Sequence, residues 1–202
     1  MNTVYTPGAS DIAAGSVVLT LTSADNGTCS AASDVMTLTI EELPTADAGL
    51  DQEVCSETTV TLTGIIGGGA SSLTWTTDGD GSFDDATSAG AEYTPDAADV
   101  GKTITFTLTT NANGTCPVAV DEMTVTFDSQ PTAEAGENQT ICETTASITM
   151  AGVIGGGVTG GTWTTAGDGT FGDPSVLNTV YTPGASDIAA CLLYTSPSPR
   201  DS

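Results

Sequence analysis

The chain has 202 residues, of which 38% are apolar, 26 are acidic, 2 are basic and none is histidine, giving a net charge of −24. That charge excludes nucleic acid and anionic membrane surfaces as partners, because both require a positive face. The lack of histidine removes the commonest general base and metal ligand, and no apolar run is long enough to cross a bilayer.

Residues 2–14 read NTVYTPGASDIAA and return unchanged as residues 178–190, an interval of 178 − 2 = 176. PTADAG at Pro44 and PTAEAG at Pro131 set a shorter period of 131 − 44 = 87 residues, close to half that interval. The chain is therefore a tandem repeat, and the repeat governs every later assignment. Residues 1–43 are the back end of one unit, 44–130 a complete unit and 131–190 the front of a third. Residues 191–202 fall outside the pattern. Met1 is not followed by a basic segment and an apolar core, so no signal peptide is expected within the chain.

In chain order, the stretch 7–15 (PGASDIAAG) is the repeat counterpart of 95–101 (PDAADVG). After it, Val17, Leu19 and Leu21, and then Met36, Leu38 and Ile40, alternate with mainly polar residues. The complete unit continues the alternation at 60–63 (VTLT), 73–76 (LTWT), 103–108 (TITFTL) and 123–127 (MTVTF). A period of two marks strands with one buried and one wet face, and threonine suits the wet face because β-branched residues favour extended backbone. Turn signals separate these runs at Gly67-Gly68-Gly69, Asp78-Gly79-Asp80-Gly81 and Asn113-Gly114. The stretch 95–101 (PDAADVG) has room for a single helical turn before the strand at Thr103. In the third part, Ile148, Met150 and Trp163 match the strands at Val60 and Leu73. Short strands and frequent turns within each unit predict an all-β fold of tandem antiparallel β-sandwiches, each of about 87 residues. Pro44 and Pro131 mark the hand-over from one unit to the next.

Four of the five cysteines follow the repeat. Cys142 is the counterpart of Cys55 (142 − 55 = 87), and Cys29 that of Cys116 (116 − 29 = 87). One pair per unit predicts an intradomain disulfide between Cys55 and Cys116 and an oxidising compartment, with two buried thiols as the alternative. Closing so long a loop would stabilise the domain by about 4 kcal/mol in the chain-entropy picture. The first and third parts together amount to one unit, so Cys29 and Cys142 are a second candidate pair. The intact middle unit should oppose their closure within one chain.

Asp78, Asp80, Asp84 and Asp85 place oxygens at alternating positions and are candidate calcium ligands. Phe83 and Ala89 stand where an EF-hand loop needs Gly and Glu, and the next repeat (AGDGTFGD, 166–173) keeps only the counterparts of Asp80 and Asp85. A tight acidic turn explains the stretch better. The runs GIIGGG at 64–69 and GVIGGG at 152–157 lack the Lys-Ser/Thr of a phosphate loop and read as bends between strands. Trp75 and Trp163 occupy equivalent positions on an alternating strand, which suits a core anchor better than a sugar platform.

The pattern PTADAGLDQEVC…TLTGIIGGG…LTWTTDGDGSF…EYTPDAADVGKTITFTLTT…NGTC resembles the Ig-like, PKD-like repeats of large secreted surface proteins of gliding bacteria. The core Trp75, Gly79, Asp80, Gly81, repeated as Trp163, Gly167, Asp168, Gly169, is similar to the Trp-Asp-x-Gly-Asp-Gly of PKD domains, with Thr76 and Thr164 in place of the first Asp. The resemblance covers residues 1–190. It implies an Ig-like sandwich, an extracellular stalk or adhesin carrying many copies, often ahead of a sorting domain linked to gliding motility, and no catalytic residues. Residues 191–202 (CLLYTSPSPRDS) break the repeat and resemble a translated sequencing-library adapter. The chain is thus expected to be a non-enzymatic structural or adhesive segment at the cell surface, without cofactor unless calcium binds. Its expected partners are neighbouring repeats of the same chain and surface glycans or proteins. The alternative is a glycan-binding accessory module of a secreted polysaccharide-degrading enzyme.

Overall fold

Threonine and apolar residues alternate through the longest runs of the chain, and those runs form strands. A computed structural model describes residues 3–142 and 144–190; the artefact-like tail at 191–202 lies outside them. The chain divides into two units, Met1–Phe127 and Asp128–Ser202.

The first unit begins with α1 (Ala9–Ala14), β1 (Ser16–Thr22) and β2 (Ser33–Thr39). It continues through β3 (Thr45–Asp47), β4 (Gln52–Cys55), β5 (Val60–Thr61), β6 (Ile65–Gly67), β7 (Leu73–Thr77), β8 (Ser82–Phe83), β9 (Glu92–Thr94), β10 (Thr103–Thr110) and β11 (Val120–Asp128). The order β4-β11-β10-β7 makes a four-stranded sheet, β5-β9-β8 a three-stranded one, and β3 pairs with β6. Antiparallel register sets Phe106 opposite Met123 and Leu108 opposite Trp75. Because side chains alternate across a strand, this register sends Ile104, Phe106, Leu108, Met123, Val125 and Phe127 to one face. All six are buried there against Val60, Leu62, Trp75 and Tyr93, which come from or adjoin the other strands. Tyr93 meets the edge of Phe106 with ring centroids 4.8 Å apart, a favourable aromatic geometry. The fold is an all-β sandwich, as predicted from the period-two pattern.

Trp75 anchors this core. It is 1% exposed, and its indole N–H donates to the Ser88 carbonyl at 3.1 Å, so its one polar atom is satisfied. Gly64 leaves room for the ring: a Cβ there would lie 2.7 Å from Trp75 Cζ2 and 3.1 Å from Leu108.

The hairpin β1–β2 repeats the β10–β11 hairpin, with Val17 opposite Leu38 and Leu19 opposite Met36. Its burial is different. Leu21 is 78% and Met36 59% exposed, whereas their counterparts Leu108 and Met123 are buried. Ladder hydrogen bonds are local and form regardless, but burying a sheet face needs an opposing sheet. Residues 3–43 contain only the hairpin and α1.

The second unit holds β12 (Thr132–Glu134), β13 (Ile148–Thr149), β14 (Val153–Gly155), β15 (Thr170–Phe171), β16 (Val180–Thr182) and α2 (Ala185–Ala190). Its sheets, β12-β14 and β13-β16-β15, match β3-β6 and β5-β9-β8. The segment around Trp163, expected as a strand, is not one. Its counterpart β7 is held by β10, and the β10 counterpart of this unit would begin beyond Ala190, outside the described residues. The same reasoning applies to β4, whose neighbour is β11: residues 139–142 form no strand.

The helical turn expected at 95–101 does not form, since the backbone there makes turns only, whereas its repeat counterparts hold the short helices α1 and α2. α1 ends at Gly15 with φ 69°, whose N–H donates to the Ile12 carbonyl, a left-handed helix stop. Gly101, with φ 80°, arrives two residues earlier relative to the preceding aspartate (101 − 99 = 2 against 15 − 11 = 4), so the chain is turned before a helix can close.

Gly64→Ala should lower stability by about 2 kcal/mol through overpacking against the indole. Gly90→Ala, whose Cβ would meet nothing nearer than the Leu62 carbonyl at 4.0 Å, should leave it nearly unchanged. Urea denaturation followed by tryptophan fluorescence distinguishes the two.

Candidate functional site

The acidic turn 78–81 and the stretch after β9 meet at one buried carboxylate. Asp99 is fully buried, and its two oxygens accept four hydrogen bonds. The Tyr93 hydroxyl donates at 2.8 Å, and the N–H groups of Asp80, Gly81 and Asp96 donate at 2.8, 3.1 and 3.0 Å. The Gly81 N–H also reaches the Tyr93 oxygen at 2.8 Å. The glycines of the turn permit this approach. A Cβ on Gly79 would overlap the Tyr93 hydroxyl, and one on Gly81 would overlap the Thr94 carbonyl. Burial alone would raise the Asp99 carboxyl, but the donors from Asp80, Tyr93, Asp96 and Gly81 outweigh it and hold the group below the usual carboxylate range. Burial, together with the bond to Asp99, pushes the Tyr93 phenol up to about 12.

The second unit builds the same latch. Asp187 accepts from the Tyr181 hydroxyl at 2.5 Å, from Gly184 N–H at 3.0 Å and from Asp168 and Gly169 N–H at 3.2 and 3.0 Å. Asp168 reciprocates by accepting from the Ser186 and Asp187 N–H groups at the first turn of α2, where unpaired helix donors favour a carboxylate. The bond from Tyr181, with those from Gly184 and the turn, holds Asp187 below its ordinary value. In the first part, Tyr5 donates to Asp11 at 2.5 Å and Gly8 N–H at 2.9 Å, but residues 3–43 include no Gly-Asp-Gly turn, and this copy is exposed. Sequence reasoning missed the latch. Its signal was present: Tyr-Thr-Pro with an Asp six residues after the Tyr occurs at 5/11, 93/99 and 181/187.

The four calcium candidates are placed separately. Asp78 accepts the Thr105 N–H at 2.8 Å, and Asp84 accepts the N–H groups of Glu92 and Asp85, both at 2.7 Å. Asp85 accepts the Thr87 hydroxyl and N–H at 2.6 and 2.9 Å, bonds that hold its carboxyl low. Asp80 lies 3.9 Å from Lys102 in a solvent-exposed ion pair, an arrangement of little energetic weight. Among the described residues no three His, Cys, Asp or Glu side chains converge as a ligand set.

The predicted Cys55–Cys116 disulfide does not form, and Cys29 is not disulfide-bonded either. Topology is the reason. Ala48 N–H donates to Asp121 and Thr124 N–H donates to Asp51, so residues 48–51 run alongside 121–124 in the same direction. β4 therefore carries Cys55 toward the Asp128 end of β11, whereas Cys116 sits in the Asn113–Cys116 turn before its start. The seven residues from Asp121 to Asp128 alone extend about 23 Å, far beyond the Cα separation of about 6 Å that a disulfide spans. The alternative of two buried thiols fails as well, since Cys55 is exposed and Cys116 half-buried.

Trp75 offers no face for sugar stacking. Trp75 is in the core, and half-buried Trp163 donates its indole N–H to the Leu177 carbonyl at 3.1 Å. A Cβ on Gly152 would lie 2.7 Å from Trp163, reproducing the Gly64–Trp75 contact. An open groove of about 740 Å³ lies along Asp47, Leu50, Gln52, Thr63, Ile65 and Ala89, and none of its described lining residues is aromatic. Among the described residues no helix is long and apolar enough to cross a membrane.

No protein-family model and no curated protein sequence matches the chain. Among solved structures it is similar to the N-terminal eight Ig domains of Down Syndrome Cell Adhesion Molecule, at 14% identity and TM-score 0.43, over 85% of this chain and 27% of that one. It is also similar to a nucleoside hydrolase-related hypothetical protein from Saccharophagus degradans associated with carbohydrate metabolism, at 18% identity and TM-score 0.37, over 44% of this chain and 26% of that one. The chain thus spans about a quarter of either structure.

Tyr93→Phe should cost about 2 kcal/mol, the worth of a hydrogen bond to a charged acceptor. Asp99→Asn should cost more, about 3 kcal/mol or above, because its amide turns donors toward donors; chemical denaturation of both variants measures the difference. The folded Asp99 and Asp187 values lie below the unfolded one, so their contribution is complete above about pH 4 and is lost as pH falls through the depressed folded values. A pH series of melting temperatures should therefore fall on the acid side of pH 4, and less steeply in Asp99→Asn. Maleimide should label Cys55 in the folded chain without reductant, as read by peptide mass.

Proposed function

We propose that the chain is a section of a non-enzymatic repeat stalk on a secreted or cell-surface bacterial protein, of the kind gliding bacteria display, whose sandwiches space and present other domains. One observation carries this reading. The Tyr–Asp latch recurs at equivalent positions, and in both units it commits the acidic turn, the chain's best candidate for a ligand site, to holding the fold together. Asp78, Asp84 and Asp85, which a metal site would present, here accept the chain's own backbone N–H groups. The repeat period, the net charge of −24 and the resemblance to surface-protein repeats support the same reading. A long array of acidic units stays soluble and resists nonspecific association.

A stalk bears load and binds nothing along its shaft. Pulled by its ends, the chain should release the complete sandwich in one step of about 25 nm, the extended length of the roughly 80 residues of its core less its folded span. The same chain on a glycan array should show no saturable binding. Saturable binding to one polysaccharide class would overturn the stalk reading in favour of the accessory module of a polysaccharide-degrading enzyme.

A further inference from the structure

Two glycine-containing turns of the complete unit take no part in the latch, and both close on the peptide that enters the unit. That peptide, residues 40–44, links β2 of one repeat to β3 of the next. One Glu41 carboxylate oxygen accepts the Thr115 N–H at 2.6 Å and the Thr115 hydroxyl at 3.0 Å. The Asn113 side-chain amide donates to the Glu42 carbonyl at 3.0 Å, and the Cys116 thiol lies 3.6 Å from the Glu41 carbonyl. Pro44 is buried at the end of the segment.

Glycine shapes both turns. Gly68, Gly69 and Gly114 have φ of 62°, 60° and 55°, which side chains adopt only under strain. A Cβ on Gly68 would overlap the Leu43 carbonyl, one on Gly69 the Asn113 amide, and one on Gly114 the Glu41 carboxylate. The second unit repeats the half of this arrangement that its described residues include. Gly156, with φ 73°, would by a Cβ overlap the carbonyl of Gln130. Gln130 is the counterpart of Leu43 (130 − 43 = 87).

We propose that the Gly67–Gly69 and Asn113–Cys116 turns form a socket for the acidic, extended peptide leaving the preceding repeat, and that this socket fixes each sandwich to the one before it. A joint made only of flexible peptide would let successive units swing freely. Here the peptide is gripped from two sides, by a charge-assisted pair of bonds to Glu41 and by main-chain contact at the glycines. The purpose of the socket, a stiff stalk, rests on the function proposed above; the socket itself rests only on these contacts.

The test is digestion of the full chain with a glutamate-specific protease, with cleavage sites timed by mass spectrometry and Thr115 amide exchange measured in parallel. In the wild type, the bonds after Glu41 and Glu42 should be cut more slowly than the exposed bond after Glu57. Glu41→Ala, which leaves the sandwich core untouched, should accelerate cleavage after Glu42 and Thr115 exchange by about tenfold, the loss of a charge-assisted bond. Gly114→Ala should do so at least as strongly, with tryptophan melting reporting whether the sandwich remains folded. Equal cleavage after Glu42 in wild type and Glu41→Ala, or wild-type cleavage there as fast as after Glu57, would overturn the socket. Neither result bears on glycan binding, and saturable glycan binding with a protected linker would remove the stalk and leave the socket standing.

Discussion

A carboxylate buried at the centre of a four-donor cage holds together the sandwich of the first unit and its counterpart in the second. Asp99 joins three separate pieces of chain: the strand end carrying Tyr93, the bend after Pro95 and the Gly-Asp-Gly turn after β7. A charge without partners in that position would be driven out or neutralised. With four donors it remains ionised and ties the two sheets' connections to one point. The turn glycines follow from it, because the backbone must come within hydrogen-bond reach of a group already in contact with the tyrosine ring. The conformation of residues 78–81 and the entry into β10 follow from it as well.

The chain's acidity acquires a structural meaning from this and from smaller examples. Asp51, Asp78 and Asp121 each accept a backbone N–H from a strand or strand end that is distant in sequence. Short strands leave many main-chain donors without ladder partners, and buried or half-buried donors need acceptors. Aspartate supplies them compactly, and its charge keeps a repetitive β-protein from pairing edge to edge with its neighbours. Structural demand and solubility thus select the same residue type.

How much was legible from the residues differs by feature. Strand positions, the sandwich and the core role of Trp75 followed from alternation, which reports directly which side of a strand is buried. The single helical turn expected at 95–101 does not form, because a glycine arrives two residues early there; the helix forms instead in the counterpart stretch 7–15. The latch was missed because a buried aspartate looks, in sequence, like any acidic loop residue; only the recurring six-residue spacing from tyrosine marked it. The disulfide inference failed because repeat arithmetic pairs cysteines by count. Pairing in space depends on strand direction, and β4 runs away from the turn that holds Cys116.

By itself the sequence determined the repeat length, the strand alternation and therefore the fold class, because these are periodic properties carried by neighbouring residues. The tertiary structure alone decided which faces are covered. Val17, Leu19 and Leu21 have the same pattern as Ile104, Phe106 and Leu108, yet Leu21 is exposed where Leu108 is buried. Trp163 has the same flanking residues as Trp75, yet it lies on no strand. Hydrogen-bonded ladders and burial both need a partner element, and a similar local sequence takes a different structure where the described residues supply none.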